Sequence, residues 1–282
     1  MSCFNRLPEF WGAAVLATAL AACGGGSPTG PATSVPYGVT TFVVVVNPVV
    51  NDANQATLPA SGTVRSGVTV SVASGPSGVT DANGVVVLTN LTPGTKTISL
   101  SGSGLTGSVQ VDIADKDLRE VAIALTQSGA AVMADVRYPF GGTVVEVTPS
   151  MTVAQVNAAL AQSTIIVFFR AGTYNGDLVF AGSNTTLFGE GPMGGQVVLN
   201  GNVTVDGSSS RIRGARILGS LTAPGSQLGF SFGRVAGALD VDGSSPVFLH
   251  NAFCGTITIA GSGATALGNA GMTPIPAPGG GC

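Results

Sequence analysis

Between residues 178 and 271 the apolar positions of the chain recur with a period of 18 residues. Counted from each repeat start, the first and third positions are apolar, and further apolar positions follow at the eighth or tenth and at the fifteenth. The repeats start at Leu178, Val203, Leu221, Leu239 and Ile257. Short alternating segments of this kind predict three strands per repeat, with side chains pointing in and out in turn. The fixed period predicts a solenoid whose neighbouring coils bury one another's apolar faces.

Glycine marks two corners of each predicted coil. The fifth position of every repeat is glycine, followed by serine; these glycines are Gly182, Gly207, Gly225, Gly243 and Gly261. A second column precedes the repeat starts and consists of Gly201, Gly219, Gly237 and Gly255. Only the first repeat breaks the spacing, by seven extra residues that we place at 190–195. A left-handed helix would need an apolar repeat of six residues, but six residues after Val205 comes Arg211. The sequence therefore predicts a right-handed parallel β-helix over residues 143–271, with five coils between 178 and 271.

The N-terminal half alternates with period two instead. Segments 68–72, 96–100 and 108–113 alternate apolar and polar residues, and Gly, Pro, Asn and Asp lie between them. Short strands at this spacing predict a small β-sandwich, which we place at 37–127, followed by a linker at 128–142. A single helix is expected at 150–160, with a hydroxyl N-cap and a stripe of Val153, Val156 and Leu160. The fold class is thus all-β, with this helix capping one end of the coil stack and a Pro/Gly-rich tail, 272–282, covering the other.

The first residues have the pattern of a targeting segment. An apolar run of 11 residues, 10–20, is too short to span a bilayer and suits a signal peptide. It ends in Leu20-Ala21-Ala22-Cys23, which resembles the lipobox of bacterial lipoproteins. The resemblance implies a signal peptide at 1–22, lipidation of Cys23 and a flexible tether at 23–36. It further implies that the protein is anchored by lipid in the cell envelope, at the outer membrane of a Gram-negative bacterium. The alternative is an ordinary cleaved signal peptide with an incidental cysteine.

Two further resemblances concern the modules. Asp81-Ala82-Asn83-Gly84 and Thr92-Pro93-Gly94 lie between strands in the order found in carboxypeptidase regulatory-like (transthyretin-like) domains, which this region resembles. That resemblance implies a non-catalytic spacer. The helix, then Ala171-Gly172-Thr173-Tyr174, then Gly189-Glu190-Gly191, is similar to the start of pectin lyase-like β-helices. This second resemblance implies the fold but no particular activity, because that superfamily includes enzymes and non-enzymes.

Charge narrows the range of partners. Charged residues make up 9% of the chain and the net charge is −3, without a long run of one sign. Nucleic-acid binding needs a basic footprint, so we exclude it. No zinc spacing, phosphate loop or nucleophile elbow occurs, so the sequence predicts no metal, cofactor or catalytic residue. The expected partners are the membrane, through the lipid anchor, and a polysaccharide or an envelope protein.

Candidate ligand-binding residues occupy outward positions of the coils. Arg211, Arg213, Arg216 and Arg234 hold most of the basic charge of the second domain. Arg216 and Arg234 share one repeat position and should stack about 5 Å apart. These arginines suit uronate, phosphate or sulfate, and the alternative is that they are simply solvated.

Asp240 and Asp242 form a second candidate pair. They flank inward Val241, so both should point outward, roughly 7 Å apart, as in an inverting glycosidase. They should lie on a different strand from the arginines, and no reaction centre is expected to assemble. Asp240 also interrupts an outward row of Thr204, Thr222 and Thr258 that would otherwise suit ice binding.

Other polar residues have structural interpretations. His250 aligns with Phe232 of the neighbouring coil and is expected to pack there. Asn251 and Asn269 share one position and resemble the asparagine ladder of such helices. Four acidic residues, Asp112, Asp115, Asp117 and Glu120, alternate with Lys116 and Arg119; they invite a calcium interpretation, but a solvated face is expected.

Two cysteines remain after the expected processing. Cys254 and Cys282 form an even pair in an oxidising compartment, so either a disulfide or two free thiols is expected.

The sequence as a whole favours a non-enzymatic, lipid-anchored envelope protein whose β-helix surface binds a glycan or a protein partner. A polysaccharide lyase or hydrolase with a degenerate site is the first alternative, and an ice-binding protein is the second.

Overall fold

The structure is a computed structural model, which describes residues 40–46, 65–82, 84–115, 117–125, 131–138, 143–190, 196–267 and 269. Residues 35–282 belong to one compact unit. Cys23, Cys282, the expected signal peptide, tether and tail, and all but the first residue of the insertion expected at 190–195 lie outside the described residues. The described part contains no helix that is both long and apolar enough to cross a membrane.

The first module is a sandwich of two four-stranded sheets. Its strands are β1 (Thr40–Val46), β2 (Thr69–Val72), β3 (Ser77–Val79), β4 (Val85–Thr89), β5 (Gly94–Gly102), β6 (Leu105–Ile113), β7 (Leu118–Leu125) and β8 (Ala131–Tyr138). The sheet orders are β4-β1-β7-β8 and β3-β2-β5-β6. Alternate residues of these strands are buried, so that Val70, Ile98, Val111 and Val121 meet in one core between the sheets. The predicted sandwich is confirmed as a fold.

The second module is a right-handed parallel β-solenoid with three strands per complete coil. Its strands are β9 (Val144–Val147), β10 (Ile166–Phe169), β11 (Gly172–Asn175), β12 (Leu178–Phe180), β13 (Thr186–Gly189), β14 (Val197–Asn200), β15 (Val203–Val205), β16 (Arg211–Arg213), β17 (Arg216–Ile217), β18 (Leu221–Ala223), β19 (Gly229–Ser231), β20 (Arg234–Val235), β21 (Leu239–Val241), β22 (Val247–Leu249), β23 (Ala252–Phe253), β24 (Ile257–Ile259) and β25 (Thr265–Leu267). The sheets run β25-β22-β19-β16-β13-β10-β9, β11-β14-β17-β20-β23 and β12-β15-β18-β21-β24. The solenoid has about seven turns, because β9 and β10 add two strands ahead of the coils that the 18-residue period identifies.

The predicted register is confirmed coil by coil. Repeat starts pair directly, Leu178 with Val203 and Leu221 with Leu239. The glycines that follow form one vertical file, in which a Cβ on Gly243 would lie 1.9 Å from the carbonyl oxygen of Gly225. The corner therefore leaves room only for glycine, because backbone of the next coil fills the space of a side chain.

The helix, α1 (Val153–Leu160), stands at the end of the sheet that begins with β12. Thr152 is its N-cap, and the Gln155 side chain completes a capping box. Val156 and Leu160 are buried, whereas Val153 is exposed and does not join the stripe that we predicted. The Asn157 side chain accepts a hydrogen bond from the Val179 N–H and so pairs the free edge of β12. The helix thus caps this sheet, as expected.

The two modules share a hydrophobic core instead of being spaced by a linker. The expected linker at 128–142 contains β8, which pairs antiparallel with β7. One face of these two strands packs on the outer face of the seven-stranded sheet, where Leu118 and Tyr138 meet Phe168 and Phe188. The alternation at 134–138 places small or apolar side chains on that face, so burial against the solenoid stabilises β8 as a strand.

Candidate functional site

The four candidate arginines lie on two different sheets of the solenoid. Arg211 and Arg213 belong to β16 of the seven-stranded sheet, whereas Arg216 and Arg234 pair in register on β17 and β20. The predicted stack of Arg216 on Arg234 is therefore confirmed, and burial together with the charge of Arg216 lowers the pKa of Arg234. The four residues do not form a single basic patch.

Arg213 points out of the solenoid, but the sandwich covers it. Its guanidinium carbon lies 4.6 Å from the Phe188 ring centroid and 5.1 Å from that of Phe232. Its Nε lies 3.7 Å from Oε2 of Glu120, which comes from β7 of the sandwich. Arg213 is buried between aromatic rings and a carboxyl group, so it stabilises the junction and is closed to a ligand.

Glu120 is the centre of a buried polar cluster at this junction. Ser231 Oγ donates a hydrogen bond of 2.7 Å to Glu120 Oε2, and Tyr138 Oη donates to the same oxygen. Burial raises the pKa of Glu120 by more than Arg213, Tyr138 and Ser231 lower it. The cluster joins residues of both modules and fixes their relative position.

The expected solvated face at 112–120 is only partly correct. Asp112 is exposed, but Asp117 and Arg119 are 3% and 4% exposed and Glu120 is fully buried. Arg119 Nε donates to Asp117 Oδ2 at 2.7 Å, and Arg119 also pairs with Asp135 on β8. Burial of these charges is tolerated because they are paired. Among the described residues no group of acidic, His or Cys side chains could hold a metal ion, so nothing here supports the calcium interpretation.

A cleft of about 420 Å³ opens where β8 meets the solenoid. Its polar lining residues are Arg119, Asp135, Arg137, Arg211, Gln227 and Ser245. Arg211 reaches into it along Gly229, where a Cβ would lie 3.0 Å from Arg211 Cγ and 3.2 Å from a Val136 methyl group. Glycine at this position therefore makes the room that Arg211 occupies between the modules.

Among the charged side chains that line the cleft, Arg211 differs from the others because it forms no salt bridge with any described residue. Its Nη1 donates to Asn184 Oδ1 at 3.0 Å and to the Ser209 carbonyl oxygen at 2.5 Å, which are both uncharged. Burial lowers the pKa of Arg211, and Tyr138 and Asp135 only partly oppose this effect. A half-buried cation held by neutral oxygens favours a bound anion.

Asp135 supplies the carboxylate of the cleft wall. Its side chain is 25% exposed, beside Arg119. Burial, with a contribution from Asp117, raises the pKa of Asp135 to about 6, although Arg119 and Arg211 act in the opposite direction. The wall therefore loses a negative charge as the pH falls below 6.

The aspartate candidates lie elsewhere. Asp240 lies on β21 and Asp242 directly follows it; both are exposed, and β21 belongs to neither arginine-bearing sheet. Register pairs Thr222 with Asp240 and Asp240 with Thr258, which confirms that a carboxylate interrupts the threonine row. The structure therefore does not bring the aspartate candidates together with the arginine candidates.

The structural interpretations of His250 and the asparagines are confirmed. The His250 ring packs edge-on against Phe232, with centroids 5.5 Å apart. Asn251 Nδ2 donates to Asn269 Oδ1 at 2.9 Å, and both side chains are buried. Cys254 is in a disulfide, and its pairing with Cys282 stays a prediction because Cys282 lies outside the described residues.

The fold and this cleft define the chain as a parallel β-solenoid fused to a β-sandwich, with a polar, arginine-lined site at the junction. Comparison with protein-family models, with curated proteins and with solved structures finds no match to the chain.

Sequence reasoning identified Arg211 and missed the other wall of the cleft. The sequence pattern predicts a solvated face for Arg119 and a linker for Asp135 and Arg137. The available signal was the alternation of Ala134, Val136 and Tyr138 with charged residues, which is typical of a strand with one buried face.

Proposed function

We propose that this protein is a non-enzymatic, lipid-anchored protein of the cell envelope that binds an anionic polysaccharide in the junction cleft. The lipobox-like sequence ending at Cys23 supports the anchor, and the resemblance to carboxypeptidase regulatory-like domains, which implies a non-catalytic spacer, supports a non-enzymatic role. Ligand binding rests on one observation: Arg211 is a half-buried cation in an open cleft, and its hydrogen bonds go to neutral oxygens.

A uronate or sulfate group fits this position chemically. A guanidinium binds carboxylate or sulfate oxygens through charge-assisted hydrogen bonds, which are about twice as strong as neutral ones. Arg137, 48% exposed, adds a second guanidinium, and Gln227 and Ser245 offer groups for sugar hydroxyls. The absence of catalysis is proposed because the exposed aspartates, Asp240 and Asp242, lie apart from this cleft.

The test is binding of a hexagalacturonate to the 35–282 unit, measured by isothermal titration calorimetry, with cellohexaose as the neutral counterpart. Arg211→Gln should weaken hexagalacturonate binding at least about tenfold, since one charge-assisted pair contributes about 1.5–3 kcal/mol. Arg216→Gln is the matched control, because Arg216 lies on another sheet, and should stay within about twofold of the wild type. Equal binding of both hexasaccharides, or an unaffected Arg211→Gln variant, would contradict the proposal.

Two further measurements test the proposed absence of catalysis and the proposed lipid anchor. Prolonged incubation with pectate, alginate and peptidoglycan should release no product; product that disappears in Asp240→Ala or Asp242→Ala would instead support an enzyme. Mass spectrometry of the mature protein should find a lipid-modified N-terminus at Cys23, and an unmodified start elsewhere would refute the anchor.

A further inference from the structure

A second groove lies on the other side of β8, within the sandwich. It has a volume of about 470 Å³, and its polar lining residues are Thr95, Gln110, Asp112, Arg119, Asp135 and Arg137. Three of these residues, Arg119, Asp135 and Arg137, also line the junction cleft. The edge strand β8 therefore forms a ridge between two adjoining depressions, and the same charged side chains can be reached from both.

Arg137 is the residue that connects the two grooves. Its Nε lies 3.1 Å from Asp117 Oδ1, and its Nη2 donates to the Asp112 carbonyl oxygen at 3.2 Å. These contacts hold the guanidinium at the ridge while about half of the side chain remains exposed. A guanidinium has five donors, so Arg137 can still donate to a molecule that crosses the ridge.

The second groove has a different chemical character from the first. Asp112 accepts a hydrogen bond from Thr95 Oγ1 at 2.5 Å. Gln110 lies two residues before Asp112 on β6, and its side chain is exposed. Hydroxyl, amide and carboxylate groups of this kind bind sugar hydroxyls. With Asp112 and Asp135 in its lining, the groove offers no surplus of positive charge for a second anionic group.

We infer that the ligand is a linear glycan that crosses β8, with an anionic group at Arg211 and hydroxyl-bearing sugar units over Thr95, Gln110 and Asp112. This inference rests on the proposed function and adds to it a second groove, which a linear chain occupies. A single uronate can fill only the junction cleft, whereas a chain of several sugars occupies both grooves and contacts both modules.

Two glutamines, one in each groove, provide a matched pair of variants. Gln227→Ala changes the junction cleft and Gln110→Ala changes the sandwich groove; both side chains are exposed, so both variants should fold. Galacturonates of one to six units are titrated against the wild type and each variant of the 35–282 unit. We expect affinity to increase at least tenfold from the dimer to the hexamer.

The two variants should then separate the grooves. Gln227→Ala should weaken binding of dimer and hexamer alike by about threefold or more, whereas Gln110→Ala should weaken only the hexamer. Affinity that does not depend on length, or hexamer binding unchanged in Gln110→Ala, overturns the two-groove inference while leaving the proposed function intact. If no galacturonate of any length binds, the proposed function itself fails. Hexaglutamate that binds as tightly as hexagalacturonate, with the same dependence on Gln110, overturns the assignment to glycans.

Discussion

Substituting Gly243 by alanine tests how closely the coils pack at their glycine corner. The new Cβ would lie 1.9 Å from the Gly225 carbonyl oxygen and 2.6 Å from its carbon, whereas real Cβ atoms essentially never come closer than 3.0 Å. The corner must therefore open by about 1.1 Å, which is nearly a quarter of the usual spacing of about 4.8 Å between strands. No side-chain rotation can relieve this contact, because the blocking atoms are backbone.

Opening the corner also breaks hydrogen bonds that are already long. The Gly243 N–H donates to the Ala223 carbonyl oxygen at 3.3 Å, and the Gly225 N–H donates to that of Val205 at 3.2 Å. Overpacking of a core costs about 1–3 kcal/mol, and a backbone clash belongs at the upper end of that range or above it. We therefore expect the free energy of unfolding to fall by about 3 kcal/mol, which lowers the Tm by about 6–12 °C in a unit of this size.

Thermal unfolding followed by far-ultraviolet circular dichroism measures the effect. Ser244→Ala is the matched control, because Ser244 is exposed and directly follows the glycine. It should change the free energy of unfolding by less than about 0.5 kcal/mol. If Gly243→Ala unfolds at the same temperature as Ser244→Ala, the vertical file of glycines is not close-packed and the register is wrong.

The remaining predictions concern buried and titrating polar groups. Asn251→Leu should lower the free energy of unfolding, measured by urea denaturation, by about 1–3 kcal/mol, because the Gly233 N–H loses the acceptor that now lies 2.9 Å away. The control Asn200→Ala, at an exposed position, should have little effect. Burial raises the pKa of Glu120 above 4.5. The contribution of Glu120 to stability is therefore full below pH 4.5 and is lost as the pH rises through the folded-state pKa. The Glu120→Gln variant should lack this decline, which amounts to up to about 1.4 kcal/mol per pH unit and is measured by urea unfolding between about pH 4 and 8. Oligogalacturonate affinity should rise about threefold between pH 7.5 and 5, because Asp135 is protonated near pH 6. A unit charge about 6 Å from the anion contributes roughly 0.7 kcal/mol in a water-like medium. The affinity of the Asp135→Asn variant should not change over the same pH range.

Clear outcomes would contradict each of these. A urea midpoint of Asn251→Leu equal to that of Asn200→Ala would exclude a stabilising ladder. A Glu120→Gln variant whose stability changes with pH as steeply as the wild type would place the titration on another group. Affinity that falls on acidification would show that the ligand does not lie beside Asp135.

The solenoid was predictable because its determinants are local and repeated. Leu221 and Leu239 occupy equivalent positions one period apart, so the sequence alone indicates that they pair. The first two strands of the seven-stranded sheet, β9 and β10, lie ahead of the 18-residue repeat, so the period indicates no register for them. The register thus followed from the sequence wherever the repeat was present.

The junction was not predictable in the same way. Glu120 and Ser231 are separated by 111 residues, and their hydrogen bond exists only because two sheets stack. On a strand, neighbouring residues face opposite layers, so Arg119 enters the end of the sandwich while Glu120 enters the junction with the solenoid. A short run of alternating charges on an isolated strand indicates solvent exposure, and only the tertiary partner reverses that conclusion.

The position of β8 explains why two arginines of one strand have different roles. Arg211 and Arg213 lie two residues apart on β16 and point from the same face of the sheet. The sandwich covers Arg213 with Glu120 and the rings of Phe188 and Phe232, so its charge is used within the protein. The sandwich does not cover Arg211 in the same way. Arg211 donates hydrogen bonds to uncharged oxygens and lines the cleft. Binding at Arg211 therefore depends on the edge of the docked sandwich, and a solenoid alone would present Arg211 without Arg137 and Asp135 beside it.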